Sequence, residues 1–265
     1  MKIDMMTFSV NEKDEYVRFW EPLSKYIKVN LNLHPVLLYV GKKEMNFSEE
    51  FGDVHKIYCG DDIPTYIPST WGWFWIASQY PDKISMQSGI DMVVTNIDYF
   101  NNKIKNLSDD CYVVSNADGY GSPGDLEYWK KPYNTFPSYY HIAKGNIFKE
   151  GLELLDDFVE EVKKINRIDY SDKGRGYSDN QASFLSETCV TNNGKWCLDE
   201  LHSTEQLRKY KNNGGNVVTH SMSDARRLTI PSSHVVTSRV PSNLDDFHFG
   251  KPYPTQDQIE RFLNL

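Results

Sequence analysis

Cysteine is scarce in this chain: four in 265 residues, at positions 59, 111, 189 and 197, and none in a C-x-x-C spacing. That argues against a zinc ribbon, a thioredoxin-type redox pair and a disulfide-stapled miniprotein, and fits reduced thiols in a cytosol. Positive charge is also short, with 29 basic against 37 acidic side chains and a formal charge of -8. Such a chain lacks the field that non-specific phosphate-backbone binding needs, so nucleic acid is not an expected partner. No apolar run approaches the roughly 20 residues of a membrane span. The first ten residues carry lysine and aspartate where a secretory signal would be apolar. Internal repeats and low-complexity tracts are missing too, which excludes solenoids. A soluble, cytoplasmic protein is the expectation. What is present is core material: 39% hydrophobic, 14% aromatic and 25% charged residues, a balance that folds rather than stays disordered.

The first forty residues read as strand, helix, strand: residues 3–10 are apolar and β-prone, 14–26 have helical spacing, and 36–40 are continuously apolar. A short apolar piece follows at 54–58. Trp71, Phe74, Trp75 and Ser78 then fall at i, i+3, i+4 and i+7, on one face of a helix ended by Pro81. Residues 90–95 predict a buried strand running into Asn96-Ile97-Asp98, and 112–115 and 138–143 predict two more. An amphipathic helix is expected over 151–165 and another near 179–189. Short β-prone runs follow around Val217, Leu228 and Val235, and a closing helix over 256–265 should pack through Ile259, Phe262 and Leu263. The expected architecture is a single α/β domain with a mostly parallel central sheet flanked by helices, 1–110 forming one half and 111–265 the other.

Two motifs invite chemistry. Gly119-Tyr120-Gly121-Ser122-Pro123-Gly124 spells G-x-G-x-x-G after a strand. Pro123 within the turn, the Lys131-Pro132 break soon after, and His141 where a ribose-binding acid would fall argue instead for a tight loop. A nicotinamide or methyl-donor enzyme built on that loop therefore ranks last. Asn96 and Asp98 stand at a predicted strand end, where hard oxygen ligands can face one divalent cation bridging a diphosphate, although taken alone they fit an ordinary Asx-turn better.

The run Gln87-Ser88-Gly89-Ile90-Asp91-Met92-Val93-Val94-Thr95-Asn96-Ile97-Asp98, after a strand and an aromatic helix, resembles the region around the D-x-D signature of GT-A glycosyltransferases. Residues 136–145 and Ser178-Asp179-Asn180-Gln181 agree with the acceptor-side strand and acidic helix start of small enzymes of this kind, including those of large algal (chlorella) viruses. For a viral protein the compartment would be the host cytoplasm. Asn96 departs from the pattern, standing where the first aspartate would be.

The resemblance implies a GT-A-like fold and transfer of a pentose or hexose from a UDP-sugar donor to a glycan hydroxyl with Mn²⁺ or Mg²⁺. It implies donor contacts from Thr7, Phe8, Ser9 and Val10 at the end of the first strand and from Asn96, Asp98 and Asp118. Asp98 and His248 would ligate the metal; aromatic rings stack on sugar faces, and Trp129 and Tyr140, each near a glycine- or polar-rich turn, are the candidates for the acceptor site. Asp179 would serve as the base of an inverting transfer, taking the proton of the attacking hydroxyl, although an aspartate opening a helix also suits an N-cap. The competing expectation from another class is a non-catalytic carbohydrate-binding protein using the same aromatic surface.

Overall fold

A computed structural model describes residues 1–60, 65–117, 136–168, 198–230 and 243–265. In chain order these form β1 (Met5–Val10), α1 (Asp14–Val17), α2 (Trp20–Tyr26) with a π-helical turn at Ile27–Leu31, β2 (His34–Gly41), β3 (Asp53–Tyr58) and α3 (Tyr66–Ser78). Next come β4 (Ile84–Gln87), β5 (Met92–Val94), α4 (Ile97–Ile104), β6 (Cys111–Val114), β7 (His141–Lys144), α5 (Gly145–Gly151) and α6 (Phe158–Asn166). The described chain ends with α7 (Leu198–Asn212), β8 (Asn216–Thr219), β9 (Arg227–Ile230), β10 (Asp246–Phe249) and α8 (Gln256–Leu263).

Seven strands make the central sheet in the order β3-β2-β1-β4-β7-β6-β8. Strands β1 to β4 run parallel to one another and β6 runs parallel to β8, while β7 is antiparallel to both its neighbours. The sheet is therefore mostly parallel, with helices on its faces. Every residue of β1 is buried, as a strand covered on both sides requires. Trp71 and Phe74 of α3 pack on one side with Phe148 and Ile165, and Trp75 meets Phe158 of α6 with ring centroids 4.9 Å apart. On the other face Phe8, Leu37, Met86 and Tyr140 join Phe19 and Trp20 of the α2 region and Phe262 of α8.

A second sheet of three strands, in the order β5-β10-β9, lies beyond the end of β4. Two expectations change here. The strand expected over 90–95 is only β5, and it pairs antiparallel with β10 rather than entering the central sheet. The helix expected over 151–165 starts only at Phe158, after the Asp157 N-cap, whose carboxylate accepts from the amides of Val159 and Glu160; a separate helix, α5, ends at Gly151. The closing helix forms as expected, buries Ile259, Phe262 and Leu263, and starts in a Thr255/Gln258 capping box.

Candidate functional site

A cavity of about 490 Å³ opens where the carboxyl ends of β1 and β4 meet the second sheet. Parallel α/β sheets leave a crevice at that end because the chain departs there in loops. Three segments line it in a row. Ser9, Val10 and Asn11 come from the end of β1, Gly89 to Met92 from the chain leaving β4, and Tyr139 from the approach to β7, which enters the sheet at the same end because it is antiparallel. Lys13 and Tyr16 close the β1 side, Trp73 of α3 lies along one wall, and Arg227, Thr229 and His248 rise from the second sheet.

The turn after β4 is set by short-range bonds. The Ser88 amide donates to the Thr7 carbonyl, carrying the β1/β4 ladder one step further, and the Met92 amide donates back to the Gly89 carbonyl. A side chain at position 89 would place its Cβ 3.0 Å from Asp91 Oδ1, so glycine leaves room for that carboxylate. Asp91 Oδ2 lies 3.1 Å from His248 Nε2 and accepts from the Tyr253 hydroxyl at 2.6 Å. Burial pushes the Asp91 carboxyl up, but His248 and Tyr253 outweigh it and hold the group below the ordinary carboxylate range. The Asp91 side chain is 17% exposed and that of His248 42%, so the pair faces the cleft while Tyr253 anchors it from behind.

The second sheet aims a guanidinium into the same cavity. Asp246, fully buried, pairs across the strands with Arg227, whose Nε is 2.9 Å from Asp246 Oδ1. The Tyr140 hydroxyl donates to the same carboxylate at 2.7 Å. The guanidinium carbon lies 5.4 Å from the centroid of Tyr139 and 5.8 Å from that of Tyr140. Lys13 and Arg227 are the cationic side chains of this lining, Arg227 paired with Asp246 behind it and Asp91 with His248.

The residues expected from the sequence divide into five groups. Ser9, Val10 and His248 line the cavity; Thr7 and Phe8 are fully buried beneath it, Thr7 donating to the Trp73 carbonyl at 3.3 Å. Asn96 and Asp98 stand elsewhere. With β5 held in the second sheet, Asn96 becomes the residue before α4 and donates to Asp245 Oδ1 at 2.7 Å, while Asp98 is exposed in the first turn of that helix, off the cavity wall. Tyr140 is 0% exposed and bonded to Asp246, so it is core, and its neighbour Tyr139 takes the place on the cavity wall. Asp118, Trp129, Asp179 and the Gly119 to Gly124 loop lie outside the described residues.

The sequence reading missed Asp91, Arg227 and Tyr139. Asp91 carried a signal in Ser88-Gly89-Ile90-Asp91 following the short run 84–87, and Arg227 shares a strand face with Thr229 by simple alternation. Among the described residues no three His, Cys, Asp or Glu side chains converge as a metal cage. Asp91 and His248 supply one carboxylate and one imidazole, a donor set that suits a divalent cation completed by phosphate and water oxygens.

No protein-family model matches the chain, and no curated protein matches it in sequence. Solved structures with a similar course of the chain include the glycosyltransferase GlyE of Streptococcus pneumoniae TIGR4, at 10% identity and a TM-score of 0.45, covering 99% of this chain and 61% of that one. The galactosyltransferase LgtC in complex with donor and acceptor sugar analogs gives 12% and 0.46, with 99% and 95% covered. The bifunctional glycosyltransferase WbbM gives 8% and 0.48, with 99% and 50% covered. The chain thus spans less than two thirds of the GlyE chain and half of the WbbM chain. At this level the likeness concerns the course of the chain and nothing finer.

Proposed function

We propose that the chain is a metal-dependent glycosyltransferase that binds a nucleotide sugar, UDP-linked by the resemblance noted above, across the ends of β1 and β4 and passes the sugar to a glycan hydroxyl. The observation that carries this reading is the Asp91–His248 pair, 3.1 Å apart at the carboxyl end of β4 in a cleft that also presents Lys13 and Arg227. The nucleoside would lie along Ser9 to Asn11. Behind that wall two buried polar atoms, Ser9 Oγ and Trp73 Nε1, have no hydrogen-bond partner among the described residues. Asp91 and His248 would hold Mn²⁺ or Mg²⁺, which when bound neutralises charge on the departing diphosphate. Asp91 replaces Asp98 as the proposed ligand because the β4 turn, and not the end of β5, reaches the cavity.

His248 and Tyr253 keep the Asp91 carboxylate ionised, and the Tyr253 hydroxyl orients it. The role of Asp179 as the base rests on the resemblance alone. Titration calorimetry with UDP, with and without Mn²⁺, tests the assignment. The wild type should bind UDP in a Mn²⁺-dependent way, and Asp91→Asn should weaken that binding by about tenfold or more, the loss of one charged ligand. UDP binding that ignores both Mn²⁺ and the substitution would refute the metal site. No UDP heat at all would favour the carbohydrate-binding alternative.

A further inference from the structure

We propose that Arg227 selects the donor sugar, donating from its terminal guanidinium nitrogens to the ring hydroxyls of the unit being transferred. The inference rests on the glycosyltransferase reading and adds to it a residue that distinguishes one nucleotide sugar from another. Position comes first. The cleft follows the sheet order, with the end of β1, then the turn after β4, then Tyr139 before β7. A donor whose nucleoside lies at Ser9 and whose diphosphate lies at Asp91 and His248 carries its sugar onward in the same direction, to Tyr139 and Arg227.

The register of the second sheet gives the spacing. His248 pairs with Thr229, and Arg227 is two residues back on the same face. One strand across and two residues along places the Arg227 backbone about 8 Å from that of His248. Diphosphate and guanidinium would thus be separated by about one sugar ring.

Charge and orientation make the second part of the case. Asp246 is fully buried and takes Nε of Arg227, so the pair is close to neutral and the fork has a fixed direction. A cation already matched in this way is a poor clamp for a diphosphate and a good donor to neutral hydroxyls. Tyr139 supports it from the side: its hydroxyl accepts from Asn116 Nδ2 at 2.6 Å and its ring lies under the guanidinium. At the opposite end of the cleft, beside the nucleoside position, Lys13 has no carboxylate partner among the described residues.

Hydroxyl recognition by a directed donor discriminates epimers and deoxy sugars, because a missing or inverted hydroxyl leaves the donor unpaired. The test compares the wild type, Arg227→Lys and the charge-balanced double variant Arg227→Gln/Asp246→Asn, each with a thermal unfolding scan. Affinities for UDP and for a panel of UDP-hexoses and UDP-pentoses are measured by calorimetry with Mn²⁺, and donor hydrolysis is followed alongside. UDP affinity should stay within about twofold of the wild type, while affinity for the preferred UDP-sugar falls by about tenfold or more and the ranking across the panel flattens. An unchanged ranking in a folded variant overturns the role of Arg227 and leaves the glycosyltransferase reading intact. A parallel loss of UDP itself also overturns it, placing the guanidinium on the phosphates. A wild type that binds no UDP removes the reading on which the inference stands.

Discussion

His141 offers a test of the fold that needs no substrate. It is fully buried in β7 between the rings of Phe74 and Tyr112, with Nδ1 2.9 Å from the Tyr112 hydroxyl and Nε2 2.8 Å from the Pro137 carbonyl. Burial penalises the charged ring and outweighs the bond to Pro137, bringing its pKa down from 6.5 to about 4. The neutral ring therefore accepts from Tyr112 at Nδ1 and donates to Pro137 from Nε2. Between pH 6.5 and 4 the unfolded chain binds a proton that the folded one refuses, so this contribution is whole above pH 6.5 and is lost as pH falls. About 2.5 pH units at ~1.4 kcal/mol each make ~3 kcal/mol. Asp199 works in the opposite sense. Burial raises its carboxyl to about 7, so the folded state gains relative stability as pH falls from that value toward the ordinary carboxylate range. The two effects mask each other in a single protein, and a difference measurement separates them. His141→Gln supplies an acceptor and a donor but does not titrate. Urea unfolding of both proteins should show the variant about 1–2 kcal/mol less stable at pH 7, from imperfect replacement of two buried bonds. That deficit should vanish or reverse by pH 4. A difference that stays flat across this range would show that His141 protonates in the folded protein as easily as in the unfolded one.

Two further substitutions separate the cleft from its surroundings. Asp98→Ala should leave Mn²⁺-dependent UDP binding unchanged in calorimetry, and should cost only a few tenths of a kcal/mol in urea unfolding, because the carboxylate is exposed in the first turn of α4. Tyr140→Phe removes a hydroxyl from the buried carboxylate of Asp246 and should lower stability by about 1–3 kcal/mol while leaving UDP affinity as it was, the pattern of a core residue and not of an acceptor wall.

The parts of the fold legible in the sequence are those whose local pattern leaves no choice. β1 is apolar and β-prone and β2 holds a continuous apolar run, both buried on both faces, α3 places its aromatics at helical spacing, and α8 has a capping box followed by an amphipathic stripe. What escaped was decided by partners far away in the chain. β4 has only four residues, two of them polar, and is a strand because β1 and β7 flank it. β10, with the sequence Asp-Phe-His-Phe, reads as loop alone and becomes a strand between β5 and β9. Tyr139 and Tyr140 are adjacent, one on the cavity wall and the other in the core, with Tyr140 at a positive φ of 61°.

The move of the proposed metal ligand from 98 to 91 has the same origin. Alternation and hydrophobicity identify a strand but not the sheet that takes it, and the crevice belongs to the carboxyl ends of the parallel sheet. Residues 92–94 look like its next strand, which would put Asn96 and Asp98 at the crevice. The ladder instead shows β1 paired with β4, so the parallel sheet ends at Gln87 and its first acidic residue beyond is Asp91. β5 then serves a different purpose. Through its antiparallel pairing with β10 it brings His248 opposite Met92, next to Asp91, and through β9 it brings Arg227 to the same rim. The small sheet is the device that gathers residues 91, 227 and 248, more than 150 positions apart at the extremes, around one cavity. For that reason no window of sequence could have held the site entire.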